Sequence, residues 1–252
     1  MSTMPASHGH NAACCNIPPV VSTGYQAKGT YKEYGDLKTY TTGPSDASKG
    51  IVIIYDIFGY FDQTVQGVDI LATSSDTKYQ VFIPDWFKGE PCPIEWYPPN
   101  TEEKQKNLGA FFGKHSPPSV AQALPGYVDS LKAKHPEIKS WGVLGVIVSL
   151  TTSAATNPFS IAASCHPAMV DPSEAPGIKV PLVLLASKEE PADKVQAFEA
   201  ALTNAGAKHV ETFGDQIHGW MAARADLKDE RVKEEYTRGY RTVLDFFGKN
   251  WA

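Results

Sequence analysis

The feature that most constrains this chain is a series of apolar runs, each too short to be a core helix, separated by stretches of helical periodicity. The runs are Ile51-Val-Ile-Ile-Tyr55, Val81-Phe-Ile83, Trp141-Gly-Val-Leu144, Ile161-Ala-Ala163 and Val180-Pro-Leu-Val-Leu-Leu185, the first two of them rich in β-branched residues. Without polar residues in alternation, such strands are expected to be buried on both faces. Helical patterns are expected over Thr64 to Thr73, Glu102 to Phe112, Ala121 to His135, Asp193 to Ala205 and Arg231 to Gly248. Strand and helix alternating in this way predict an α/β fold, a mostly parallel central sheet with helices on both faces. Upstream, Gly35-Asp36 between two tyrosine-containing segments predicts an antiparallel hairpin over Thr30 to Thr42 that feeds into the sheet.

No repeat of 20 to 50 residues and no long Pro-rich linker divides the chain, so residues 1–252 are expected to form a single domain. The polar, small-residue start, residues 1–15, is expected to be a flexible tail in which His8-Gly9-His10 has no function. A formal net charge of −5 gives no electrostatic reason to expect nucleic acid or an anionic membrane as partner. No apolar run approaches the roughly 20 residues of a membrane span, and no signal-peptide pattern opens the chain, so a cytoplasmic protein is expected. Cys14, Cys15, Cys92 and Cys165 form no C-x-x-C pair and read as free thiols, with no metal site among them.

In open parallel sheets ligands sit at the carboxyl ends of the strands, so the residues just after each run are where chemistry is expected. Asp56-Ile57-Phe58-Gly59 follows the first parallel strand, and Pro84-Asp85-Trp86-Phe87-Lys88-Gly89 the next. Ser187-Lys188-Glu189-Glu190 follows a later strand, and Gly214-Asp215-Gln216-Ile217-His218-Gly219 closes the run Val210 to Phe213. A histidine followed by glycine in a short loop can project as a general base, and Glu189 or Glu190 on the preceding strand end supplies its acid. Glu189 is preferred, because it directly follows Ser187-Lys188. Acid before histidine is the chain order of hydrolases in which a nucleophile elbow comes first.

These segments, with Ala13-Cys14-Cys15, Ile17-Pro18-Pro19-Val20, His166-Pro167 and His218-Gly219-Trp220 followed by Ala223-Arg224, resemble the fungal type of the dienelactone hydrolase family, in the α/β-hydrolase superfamily. The resemblance covers most of the chain. It implies an α/β-hydrolase fold and cleavage of a small-molecule ester or lactone by a Cys-His-Asp triad, with no metal or organic cofactor, in a monomer or homodimer. His218 matches the triad histidine and Glu189 the triad acid. Asp56 stands where bacterial relatives place a glutamate that interacts with the thiol, Ile57 would offer a backbone N–H to the oxyanion, and Trp86 and Lys88 are expected to line the pocket.

The nucleophile has no match. The family's G-x-C-x-G-G elbow is absent, and Gly145 is joined directly to Val146-Ile147-Val148-Ser149-Leu150, about six residues short of the pattern. Residues 141 to 150 are therefore expected to run on as one buried strand. Ser149 lacks the flanking glycines that a strained turn needs, and Cys165 beside His166 is expected to be a buried, inert thiol. The alternative to a hydrolase is a catalytically inactive member that binds a small ligand or a partner.

Overall fold

The run around Ile51 forms the middle of an eight-stranded sheet. In this computed structural model residues 18–22 and 24–252 are described; His8-Gly9-His10, Cys14, Cys15 and Ile17 lie outside the described residues. The strands are β1 (Thr30–Tyr34), β2 (Leu37–Thr42), β3 (Lys49–Ile54), β4 (Tyr79–Pro84), β5 (Ser140–Gly145), β6 (Ile161–Cys165), β7 (Leu182–Ser187) and β8 (Lys208–Phe213). Their spatial order is β1-β2-β4-β3-β5-β6-β7-β8. The hairpin pairs Tyr34 with Leu37 across the Gly35-Asp36 turn, and β2 joins β4 antiparallel; every other pairing is parallel. Strands β4, β6 and β7 are buried at every position, as unbroken apolar runs require, while the edge strand β8 is exposed over much of its length.

The helices are α1 (Asp62–Thr73), α2 (Glu102–Lys114), α3 (Pro117–Lys134), α4 (Val148–Thr152), α5 (Ala192–Ala201) and α6 (Glu230–Asn250). Helix α3 starts four residues before the expected Ala121, because Ser116 caps it through the Ser119 N–H and Pro117 and Pro118 preset its first turn. Helix α5 stops short of the expected Ala205, where Thr203-Asn204-Ala205-Gly206 turns the chain toward β8. Among the described residues no helix is long and apolar enough to cross a membrane.

One expectation fails in a way that matters for the site. Residues 141 to 150 do not run on as a strand: β5 ends at Gly145, Val146 and Ile147 bend, and α4 begins at Val148. The last bond to β3 is donated by the Val146 N–H to the Ile54 carbonyl at 3.2 Å, and the Val146 carbonyl then accepts from the Ala168 N–H at 2.9 Å. Once Val146 is held from both sides, the chain leaves the sheet. The strand-turn-helix outline of an elbow is thus present, but not its strain. Among the described residues Lys88 and His166 are the non-glycine residues with positive φ, and Ile147 has φ −125°.

Candidate active site

Gly219, with φ +88°, turns the chain sharply after β8 and sets His218 at the rim formed by the strand ends. The imidazole is buried, and its Nδ1 lies 2.7 Å from Glu190 Oε1; the two side chains are 1 % and 0 % exposed. The partner of the ring is therefore Glu190 and not Glu189, as sequence reasoning preferred. Strand β7 continues to Ser187, and the Lys188-Glu189 turn folds Glu190 back so that its Oε2 accepts the Ser187 N–H. Glu189 serves the same loop differently, its Oε2 accepting the His218 backbone N–H at 2.8 Å. One carboxylate holds the ring and the other holds the backbone that carries it.

His218, Asp56, Ile57, Trp86, Val146 and Ile147 line a cavity of about 40 Å³, together with His115, Pro117 and Val120. That volume holds water but lies far below the roughly 300 Å³ at which small-molecule pockets begin. Trp86 is fixed there by donating its indole N–H to the Ile53 carbonyl at 3.0 Å. Asp56 is buried, its Oδ1 accepting the Phe58 N–H at 3.0 Å. Burial raises the Asp56 pKa above the ordinary carboxylate value, against the opposing pull of the Arg224 guanidinium.

Lys88 is not part of this cavity. Its left-handed backbone (φ +52°) turns the side chain outward to an exposed ion pair with Asp36, on a surface groove beyond the cavity wall. Ser149 lies in α4 with its hydroxyl against the Glu174 carboxyl and does not line the cavity. Cys165 is buried at the end of β6, where burial pushes its thiol pKa well above the ordinary range. Of the residues that follow β5, Val146 and Ile147, both with hydrocarbon side chains, line the cavity with His218.

Two buried residues escaped the sequence reading of the site. The His166 ring packs edge-on to His218 at 5.6 Å between centroids, and burial lowers its pKa well below the usual imidazole value, helped by His218 and Arg224. The Arg224 guanidinium, 1 % exposed, lies 5.0 Å over Phe58 and 5.9 Å over Tyr97. Both belong to quoted motifs, but only the fold brings them to one rim. Among the described residues no three His, Cys, Asp or Glu side chains gather as a metal site requires.

The chain is similar along most of its length to known proteins. An uncharacterized AIM2 family protein of Schizosaccharomyces pombe is 36 % identical over 247 residues, covering 94 % of this chain and 98 % of the relative. The hydrolase tropI of Talaromyces stipitatus is 25 % identical, covering 88 % and 90 %. The crystal structure of dienelactone hydrolase from Anabaena variabilis superposes with a TM-score of 0.60 at 14 % identity, covering 89 % of this chain and 98 % of that one, which shows the α/β-hydrolase fold. The model of the dienelactone hydrolase family matches residues 37–251, and with that match over most of its length the chain belongs to the dienelactone hydrolase family.

Proposed function

We propose that this chain binds a small ester or lactone at the His218 rim and does not hydrolyse it by the covalent route expected of its family. The observation that carries this reading is the pair Val146 and Ile147, which face the same cavity as His218 where a nucleophile would have to stand. With Nδ1 engaged by the Glu190 carboxylate, Nε2 is the ring nitrogen left to accept a proton. Its natural donor would be a thiol or hydroxyl, and a hydrocarbon offers none. Ile57, through its main-chain N–H, and Asp56 and Trp86 are the residues assigned to the ligand. A cytosolic monomer or homodimer of one domain accords with this reading.

One observation favours a second reading. The Glu190–His218 pair is already formed, and the cavity has room for water. In that route Nε2 takes a proton from water, the water oxygen bonds to the ester carbonyl carbon, and the proton passes to the departing alkoxide as the acyl–oxygen bond breaks. Without the second oxyanion donor of an elbow the barrier would rise by about 2.7–4 kcal/mol. The experiment compares dihydrocoumarin and 4-nitrophenyl acetate, as ligands and as substrates, for the chain and its His218→Ala variant. Saturable binding without turnover supports the first reading. Turnover that vanishes in the variant supports the second, and neither binding nor turnover overturns both.

A further inference from the structure

Asp56 lines the His218 cavity and also a second, smaller one of about 20 Å³, which lies at the ends of β3, β5 and β6 against α1 and α6. Every residue around this second cavity is buried, and Ile53, Val68, Leu144 and Ala222 give it an apolar frame. Three polar side chains interrupt the frame: Asp56, Thr64 and His166, which are 4 %, 4 % and 3 % exposed. Each keeps one buried atom, Asp56 Oδ2, Thr64 Oγ1 and His166 Nδ1, that has no hydrogen-bond partner among the described residues. Buried polar atoms are rarely left so, and here three meet at one cavity.

The local fold explains why each is left over. Asp56 spends Oδ1 on the Phe58 N–H at 3.0 Å, while its carbonyl accepts the Gly59 N–H at 3.2 Å, so Oδ2 is the oxygen outside this turn. Thr73, Thr152, Thr237 and Thr242 each donate to the carbonyl four residues earlier in their helices. Thr64 stands in the first turn of α1, where the residue four places back, Tyr60, precedes the helix. His166 follows β6, and burial keeps its ring neutral, so Nδ1 presents either a proton or a lone pair.

Size and chemistry select the occupant. A water needs roughly 10–15 Å³ and two to four polar partners, and the cavity offers slightly more than that space and three such partners. Water both donates and accepts, so it can donate to the Asp56 carboxylate and still match whichever hydrogen the hydroxyl and the imidazole present. An anion would face that carboxylate. A cation would compete with the Arg224 guanidinium, whose charge already acts on Asp56.

We propose that Asp56, Thr64 and His166 hold a single internal water, and that this water anchors the turn Asp56-Ile57-Phe58 at the edge of the His218 cavity. With Oδ2 held by the water and Oδ1 by the Phe58 N–H, the carboxylate is fixed at both oxygens, and the Ile57 main chain between Asp56 and Phe58 is fixed with it. Thr64 and His166 do not line the His218 cavity, so they act as positioning residues, through the water. The site stands whether or not a ligand binds beside His218.

The test uses the full chain with no ligand added, as the unmodified protein, Thr64→Val and Thr64→Ser. Crystals of the unmodified protein should show one water within hydrogen-bond distance of all three atoms. Thr64→Val, which keeps the shape and removes the hydroxyl, should lose that density, and water ¹⁷O relaxation dispersion should find one long-lived water fewer. Its Phe58 amide should exchange hydrogen at least tenfold faster, while Thr64→Ser, which keeps the hydroxyl, should match the unmodified protein in all three measurements. A dry cavity, or an ion in it, in crystals of the unmodified protein overturns the site, and these crystals decide it even if Thr64→Val fails to fold. Water retained in Thr64→Val overturns the role of Thr64. Water lost there with Phe58 exchange unchanged within twofold overturns the anchoring and leaves the site standing.

Discussion

Glu190 bridges two parts of the rim: one carboxylate oxygen accepts the Ser187 N–H at the end of β7, and the other meets His218 Nδ1 at 2.7 Å. Both side chains are out of water, so no solvent stands ready to replace the bond between them. Glu190→Ala is expected to destabilise the fold by about 2–3 kcal/mol, since it leaves a buried backbone donor and a buried imidazole nitrogen without a partner. Glu189→Gln keeps an oxygen for the His218 backbone N–H and should lose under about 1 kcal/mol. Urea unfolding of the two variants checks the ranking. Equal losses would mean that the ring does not choose between the two carboxylates.

His166 makes stability depend on pH. Its folded pKa lies well below the ordinary imidazole value, because burial opposes the charge. As the pH falls below about 6.5 the unfolded chain binds a proton that the folded chain refuses, so stability is fully present above that pH and drains away below it. One such group contributes at most about 1.4 kcal/mol per pH unit. The urea midpoint should therefore fall between pH 7.5 and pH 5, and His166→Gln should flatten that fall. An identical slope in the variant would contradict a neutral buried His166.

Cys165 should behave as a structural thiol. It is enclosed at the end of β6, and the rise in its pKa leaves almost no thiolate near neutral pH. Alkylation of Cys165 at pH 7.5, followed by peptide mass analysis, is expected to proceed only as fast as the protein unfolds and to accelerate with urea. Rapid labelling in the native protein would instead mark an activated thiol beside His166.

The sheet was legible because its strands are apolar runs of a length and composition that leave no helical alternative. The hairpin was legible from Gly35-Asp36, and the site's position from the polar residues behind each strand. What escaped depends on side-chain direction across a turn. Glu189 and Glu190 are neighbours in sequence, and only the closing bond from the Ser187 N–H to Glu190 decides which of them reaches the imidazole. Lys88 left the pocket for a similarly local reason, its left-handed backbone. The bend after Gly145 was hidden because Val146-Ile147-Val148 has the composition of a strand. What stops it is tertiary: a bond from Ala168 to the Val146 carbonyl, and a Gly145 Cα packed so tightly that an added Cβ would lie 2.1 Å from the Ile54 carbonyl oxygen.

That bend gives the strongest test of the proposed function. Strand β5, the turn and helix α4 already lie in the order of an elbow, and Val146 and Ile147 already share the cavity with His218. Inserting Gly-x-Cys-x-Gly-Gly-Lys after Leu144, with Gly145 as the first glycine, would supply a thiol, glycines that permit a positive φ, and a second oxyanion N–H. With Glu190 and His218 in place, the rebuilt chain should hydrolyse dihydrocoumarin or 4-nitrophenyl acetate at least 10²-fold faster than the original, the range that one oxyanion donor alone is worth. The gain should disappear when the inserted cysteine is replaced by alanine or His218 by alanine. A rebuilt chain that folds and stays silent would mean that the rim has lost more than its nucleophile. Comparable turnover by the original chain, lost in His218→Ala, would transfer the chemistry to a water activated by His218.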